Sequence, residues 1–253
     1  MERGFGWRAA FFVVGVPGVW LAWRVGRRPD VPRGGGETAA QRAAPRWADY
    51  RGLLTTRSYV LNCLAMTGMT FAVGGLAAWV PTYLVRVRGM GLAEANLAFG
   101  LLTLVSGLGG TVAGGWLGDR LLARFPAAYF LVSGVGLALS VPCAAAVILL
   151  GDLTGVLAAI FLAEVCIFLN TGPLNAIVAN VSRPEVRATA FAANIFVIHA
   201  LGDAISPAIV GFASDRVGLA AAFWIAPVAL ALAALFCFWG MRHFAADAAR
   251  IGA

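Results

Sequence analysis

Three ionisable side chains in this sequence lie inside long apolar runs, where a charge is expensive to keep. Glu164 falls near the middle of the run 153–180, and His199 and Asp203 fall within the run 188–212. An imidazole that titrates near neutrality and a carboxylic acid can pass protons, hold a coupling ion or bind a polar group of a solute. His199, Asp203 and Ser206 are spaced i, i+4 and i+7, so a continuous helix puts them on one face with Ala192 and Phe196. The same geometry puts Thr171 and Asn175 on the side of Glu164. The alternative chemistry is structural: a buried, hydrogen-bonded pair holding the two runs together.

Amides and hydroxyls extend the candidate set. Thr67 and Thr70 occupy the run 59–85, and Thr103 the run 96–117. Asn170 lies with Glu164, and Asn194 with His199. No cofactor motif is present. The four cysteines, Cys63, Cys143, Cys166 and Cys237, lack metal-ligand spacing and read as small buried apolar residues. No metal site is expected.

The elements that carry these residues follow from composition. Of 253 residues, 60% are hydrophobic and 12% charged, and the mean hydropathy is +0.83. A soluble domain is nearer 45–50% apolar and about 25% charged. The apolar runs reach the roughly 20 residues that a helix needs to cross a bilayer, and they lack the alternation of a membrane barrel strand. The fold class is therefore all-α and membrane-embedded, with about seven spans, numbered 1 to 7 in chain order: 9–25, 59–85, 96–117, 127–150, 153–180, 188–212 and 219–240. Span 1 is short. No cleavable leader is expected after Met1, where the run Ala9 to Trp23 lacks a small-residue cleavage site.

Polar residues are unevenly shared. Spans 1 and 7 contain none of Asn, Asp, Glu, His, Ser, Thr or Gln, and span 4 contains only Ser133 and Ser140. Since polar side chains in a bilayer usually face a bundle interior or water, spans 2, 3, 5 and 6 are expected to line a cavity. Spans 1, 4 and 7 would then support them from the lipid side. Gly110, Gly114 and Gly118 recur every four residues along span 3, a ridge suited to close helix packing.

The net charge of +7 is carried by arginine alone. The segment 26–57 is basic and rich in proline and glycine; residues 37–44 could form a short helix, and 33–36 could be disordered. Trp47, Tyr50, Leu53 and Leu54 could rest on the lipid surface. With that segment inside, fourteen arginines lie inside and five outside, as the positive-inside rule requires. The N-terminus is then outside and the C-terminus cytoplasmic, in a bacterial inner membrane. Trp7, Trp23, Trp79, Trp116 and Trp239 fall near the expected interfaces. Nucleic-acid binding does not explain arginines spaced between apolar runs.

The most specific motif closes span 3: Gly114-Gly115-Trp116-Leu117-Gly118-Asp119-Arg120, ending at Arg124. Read locally, glycines allow a tight turn, Asp119 can cap a helix N-terminus, and Arg120 and Arg124 stay at the interface. This segment resembles the short inner-loop signature of the major facilitator superfamily between its eighth and ninth helices. Gly6-Trp7-Arg8-Ala9-Ala10-Phe11 is similar to the start of that family's sixth helix. The spinster-like branch is suggested by Phe71 to Pro81, by Phe168-Leu169-Asn170, and by His199-Ala200-Leu201-Gly202-Asp203-Ala204-Ile205-Ser206-Pro207. The resemblance implies that residues 1–25 are the sixth helix, 26–57 the central basic linker and 58–253 the C-terminal six-helix bundle. It further implies secondary transport by alternating access, with a small organic or lipid-like solute and protons as a candidate coupling ion.

The resemblance leaves five front-half helices unaccounted for, so the chain is expected to be truncated or to need a separate half-transporter subunit. Its partners would be that half, the bilayer and the solute. A retinal protein is excluded because its Schiff base needs a lysine. An intramembrane hydrolase lacks a nucleophile motif around Ser106 or Ser133, and no enzymatic activity is expected. A structural or regulatory half-protein that does not transport is the main alternative.

Overall fold

In a computed structural model, residues 6–28 and 47–252 are described. They are helical almost throughout, and no strand occurs among them. The expected helix at 37–44 and the segment 33–36 lie outside the described residues. The chain divides into two compact units, Met1–Ala43 and Ala44–Ala253.

The first unit contains the helix Gly6–Gly26, whose apolar stretch Phe11–Gly26 is shorter than the others. Arg24 and Arg27 stack on Trp20 and Trp23 at its end, the aromatic and cationic pairing expected at a membrane surface.

The second unit holds six helices long and apolar enough to cross a membrane: Arg57–Arg86, Leu92–Leu122, Ala128–Leu149, Leu153–Asn180, Pro184–Val217 and Leu219–Ile251. These are spans 2 to 7. Helix is the form that satisfies every backbone N–H and C=O internally where water is absent. The chain is thus a multi-pass integral membrane protein. Gly89 and Gly218, both with positive φ, turn the chain between spans 2 and 3 and between spans 6 and 7. Asp152 caps span 5, its carboxylate accepting from the Gly155 N–H.

Two spans are interrupted where their chemistry lies. Span 5 breaks after Phe168, with Leu169 and Asn170 in a turn before Thr171–Asn180. Span 6 contains a π-helical turn over His199–Asp203, closed by the Ala204 N–H donating to the His199 carbonyl.

Span 7 packs along spans 2 and 4 through Phe130, Phe244, Leu230 and Cys237. Spans 4 and 7 thus fill the interior of this unit with one side and keep apolar residues such as Leu139, Val228 and Leu235 exposed on the other. Half of the apolar window of span 7 and 44% of that of span 4 are buried, against 17% for span 3 and 22% for span 6. The bundle closes around span 7. Spans 3 and 6 leave rows of large apolar side chains outside, such as Leu101, Leu104 and Leu108 on one and Phe196, Ile205 and Ile209 on the other, as span 7 does with Val228, Leu232 and Leu235.

The short helix Trp47–Thr55 precedes span 2. Trp47 and Leu54 are exposed, as a surface-resting helix requires. Leu53 is buried and Tyr50 packs against the core, so those two belong to the bundle and not to the lipid surface.

Candidate functional site

Span 6 is fastened to span 2 by three hydrogen bonds spread along its length. Tyr59 Oη donates to the Ala190 carbonyl at 2.8 Å, Thr70 Oγ1 to Ile198 at 2.9 Å, and Trp79 Nε1 to Pro207 at 2.9 Å. Trp79 thus has an internal partner besides its place near a span end. The middle bond falls at the π-turn, and the single Thr70 hydroxyl proton is shared there with the Met66 carbonyl, also at 2.9 Å. Widening the helix there removes a regular partner from a carbonyl, and the Thr70 hydroxyl meets the Ile198 oxygen. The approach is close because both sides are glycine. A Cβ on Gly202 would collide with Thr70 Oγ1, and one on Gly74 would stand 2.5 Å from the Asp203 Cα.

The π-turn displays His199 and Asp203. His199 Nδ1 lies 3.0 Å from Asp203 Oδ1 and 2.9 Å from Oδ2, with side chains 57% and 39% exposed. A carboxylate against Nδ1 favours the tautomer protonated there and leaves Nε2 for another group. Ser206 does not share this face: it is fully buried, and its hydroxyl has no partner among the described residues. The expected i, i+7 alignment fails because one extra residue is absorbed by the turn, rotating the rest of span 6 by about 100° relative to a regular helix.

Glu164 forms a second, separate centre. Its Oε1 accepts from Thr103 Oγ1 at 2.7 Å and its Oε2 from Ser106 Oγ at 2.9 Å. The carboxylate therefore joins span 5 to span 3, and the alternative of a structural pair between spans 5 and 6 does not form. Thr171 and Asn175 follow the break in span 5, and Asn175 Nδ2 donates to the Thr171 carbonyl at 2.7 Å instead of reaching Glu164. Glu164 also borders a small, otherwise apolar cleft of about 30 Å³. Its walls include Leu76, Phe99, Val147, Phe223 and Pro227, from spans 2, 3, 4 and 7, and no residue of span 6.

The other candidates are dispersed. Thr67 Oγ1 bonds back to the Cys63 carbonyl at 2.7 Å. Asn170, fully buried, donates to the Cys166 and Ile167 carbonyls as span 5 ends its first segment. Asn194 is also fully buried and donates to Met66 Sδ at 3.2 Å, as Asn62 does at 3.5 Å.

The motif at the end of span 3 is not a turn. Gly114 to Arg120 lie within the helix Leu92–Leu122. Gly110 and Gly114 are the sites of closest approach to span 5: a Cβ on Gly110 would meet the Val165 carbonyl oxygen at 2.8 Å, and one on Gly114 would overlap that of Leu169. Gly118 faces Tyr129 and Pro173. Among the described residues Asp119 caps no helix; it accepts from Tyr129 Oη at 2.9 Å, tying span 3 to span 4 across the connecting turn. Arg120 lies over Trp116, and Arg124 follows in the turn after span 3.

Sequence reasoning missed three anchors. Ser106, the second donor to Glu164, was signalled by its i+3 spacing from Thr103. Tyr129 gave no signal. Asp247, 6% exposed, accepts from the Ser58 N–H at 2.9 Å and also from its hydroxyl, so a residue far along the chain caps span 2. Among the described residues, no group of three metal-ligating side chains gathers.

The sequence model of the Major Facilitator Superfamily matches residues 3–207. The chain is 35% identical to zebrafish (Danio rerio) protein spinster homolog 3 over 74% of this chain and 41% of that protein. It is 30% identical to "Probable sphingolipid transporter spinster homolog 3" of Arabidopsis thaliana over 67% of this chain and 32% of that protein. The chain thus spans less than half the length of these curated relatives. In fold it is similar to a bacterial homologue of the human lysosomal transporter spinster, crystallised inward-facing and unoccupied. The TM-score is 0.73 at 23% identity, over 97% of this chain and 61% of that one.

Proposed function

Because this chain belongs to the major facilitator superfamily and is spinster-like in sequence, we propose that it supplies one wall of a secondary transporter that moves a lipid-like amphiphile by alternating access. The reading rests above all on one observation: an ionisable pair, His199 and Asp203, is held on the exposed side of span 6 at mid-span. Exposure at that depth in hydrocarbon is unfavourable for such groups. A polar surface facing them removes that penalty, and the opposing six-helix bundle of a transporter, in the same polypeptide or a separate one, supplies it.

In this mechanism His199 Nε2 contacts the polar part of the solute, Asp203 fixes the ring, and protons exchange at that pair or at Glu164 to couple the movement. Thr70 holds the π-turn in place. An amphiphile is favoured by the apolar rows of spans 3 and 6, which offer its chain a surface beside the polar pair. The relative from Arabidopsis is named as a sphingolipid transporter, which points to the same solute class. The arginine distribution supports a cytoplasmic C-terminus and, with the bacterial structural neighbour, a bacterial inner membrane.

The test is uptake into proteoliposomes containing this bundle with its opposing half, with and without a proton gradient, using a fluorescent lysolipid. Asp203→Asn and Glu164→Gln should each lower gradient-driven uptake by roughly ten-fold or more. If both leave it unchanged, neither carboxylate couples transport.

A further inference from the structure

The arginine-rich end of the bundle carries a groove that plays no part in the transport reading. It runs between the start of span 2 and the last turns of span 7 and has a volume of about 590 Å³. Its walls are Leu54, Val60, Leu64 and Trp239, and its mouth carries Arg57 and His243. The order along the helices is significant. Arg57 opens the helix Arg57–Arg86, and Leu64 lies about 10 Å deeper. Span 7 runs the other way, so Trp239 lies one turn deeper than His243. Because Asp247 meets Ser58 in the first turn of span 2, His243 stands about one turn deeper than Arg57, with Leu64 and Trp239 below both.

We infer that this groove binds one anionic phospholipid, with its phosphate between Arg57 and His243 and an acyl chain along Val60, Leu64 and Trp239. Among the described residues, neither Arg57 nor His243 has an acidic partner. The acid four residues beyond His243, Asp247, is buried, bonded to Ser58 and 3.7 Å from Arg250. The mouth therefore lacks a counter-charge that a phosphodiester provides. Basic pockets between membrane helices select anionic headgroups in this way. The apolar wall selects a lipid over a soluble anion: Leu64 is 41% exposed and Trp239 53%. Trp47 and Leu54 on the adjoining short helix are also exposed, which suits a segment lying at headgroup level.

The experiment is native mass spectrometry of the full chain released from nanodiscs of phosphatidylglycerol and phosphatidylcholine in equal amounts. One phosphatidylglycerol should be retained in preference to phosphatidylcholine. Arg57→Gln should weaken that retention roughly five-fold, and Arg57→Gln with His243→Gln should weaken it further. Leu64→Trp, which keeps Arg57 and His243 but fills the wall, should also reduce it, and Leu232→Trp, outside the groove, should not. Thermal unfolding in phosphatidylcholine alone checks that the variants fold. Equal retention of the two lipids, retention unmoved by the double variant and by Leu64→Trp, or displacement by glycerol phosphate each overturns the site.

Discussion

The His199–Asp203 couple differs from an ordinary surface ion pair in what it leaves available. With Nδ1 facing both carboxylate oxygens, the ring presents a single nitrogen outward, and Asp203 acts chiefly by orienting it. Asp203→Asn should therefore impair solute contact through the ring as well as any proton exchange. His199→Gln should lose proton exchange while keeping a donor near Nε2. Measured as binding of a fluorescent lysolipid to the assembled transporter, Asp203→Asn is expected to weaken affinity by about ten-fold, and His199→Gln by less. Glu164 behaves differently because both of its oxygens already have hydroxyl donors. Removing those donors with Thr103→Val and Ser106→Ala should destabilise the bundle by about 1–3 kcal/mol each, read from its unfolding midpoint. Residue identity was legible in the sequence, since a carboxylate or imidazole within hydrocarbon declares itself. Pairing was not: the hydroxyls meeting Glu164 sit more than fifty positions away, and no periodicity links them.

Helix contacts depend on glycine placement. Along span 3, Gly114 has a backbone oxygen where a Cβ would go, whereas Gly115 has nothing within 4 Å. Gly114→Ala should cost about 3 kcal/mol, because the obstruction is main chain and cannot swing away. Gly115→Ala should be neutral or stabilise by up to about 1 kcal/mol. Denaturation in detergent micelles separates the two. Asp247→Ala should cost about 1–2 kcal/mol by leaving the first turn of span 2 uncapped, measured in the same assay. The ridge itself was legible, for three glycines at four-residue intervals have one natural use in a membrane helix. The turn expected at the last of them does not form, because Gly-Gly-Trp-Leu-Gly carries local signals of a break while its neighbours in space hold it helical. Span ends extend beyond the apolar runs for a related reason: polar residues such as Asp119 and Asp247 continue a helix once partners across the bundle accept them.

At the scale of the whole molecule, the second unit is most buried around spans 4 and 7 and least along spans 3 and 6. Polar content divides the spans by composition alone. It does not rank them by burial, since an apolar helix can fill a bundle's interior as readily as it can face lipid. If spans 3 and 6 border water in the assembled transporter, Phe196→Cys should react with a membrane-impermeant maleimide roughly ten-fold faster than Leu235→Cys on span 7. Cys63 and Cys237 are buried and should stay silent in that assay. The widened turn in span 6 has one more consequence. A helix that accommodates a surplus amino acid in a single loop of its coil keeps both flanks in phase with their neighbours. Excising Leu201 should thus heal the coil while Tyr59 and Trp79 still find Ala190 and Pro207. The imidazole and its acid would then stand three positions apart instead of four. A one-codon change would break the two-oxygen grip on the ring and leave the scaffold upright.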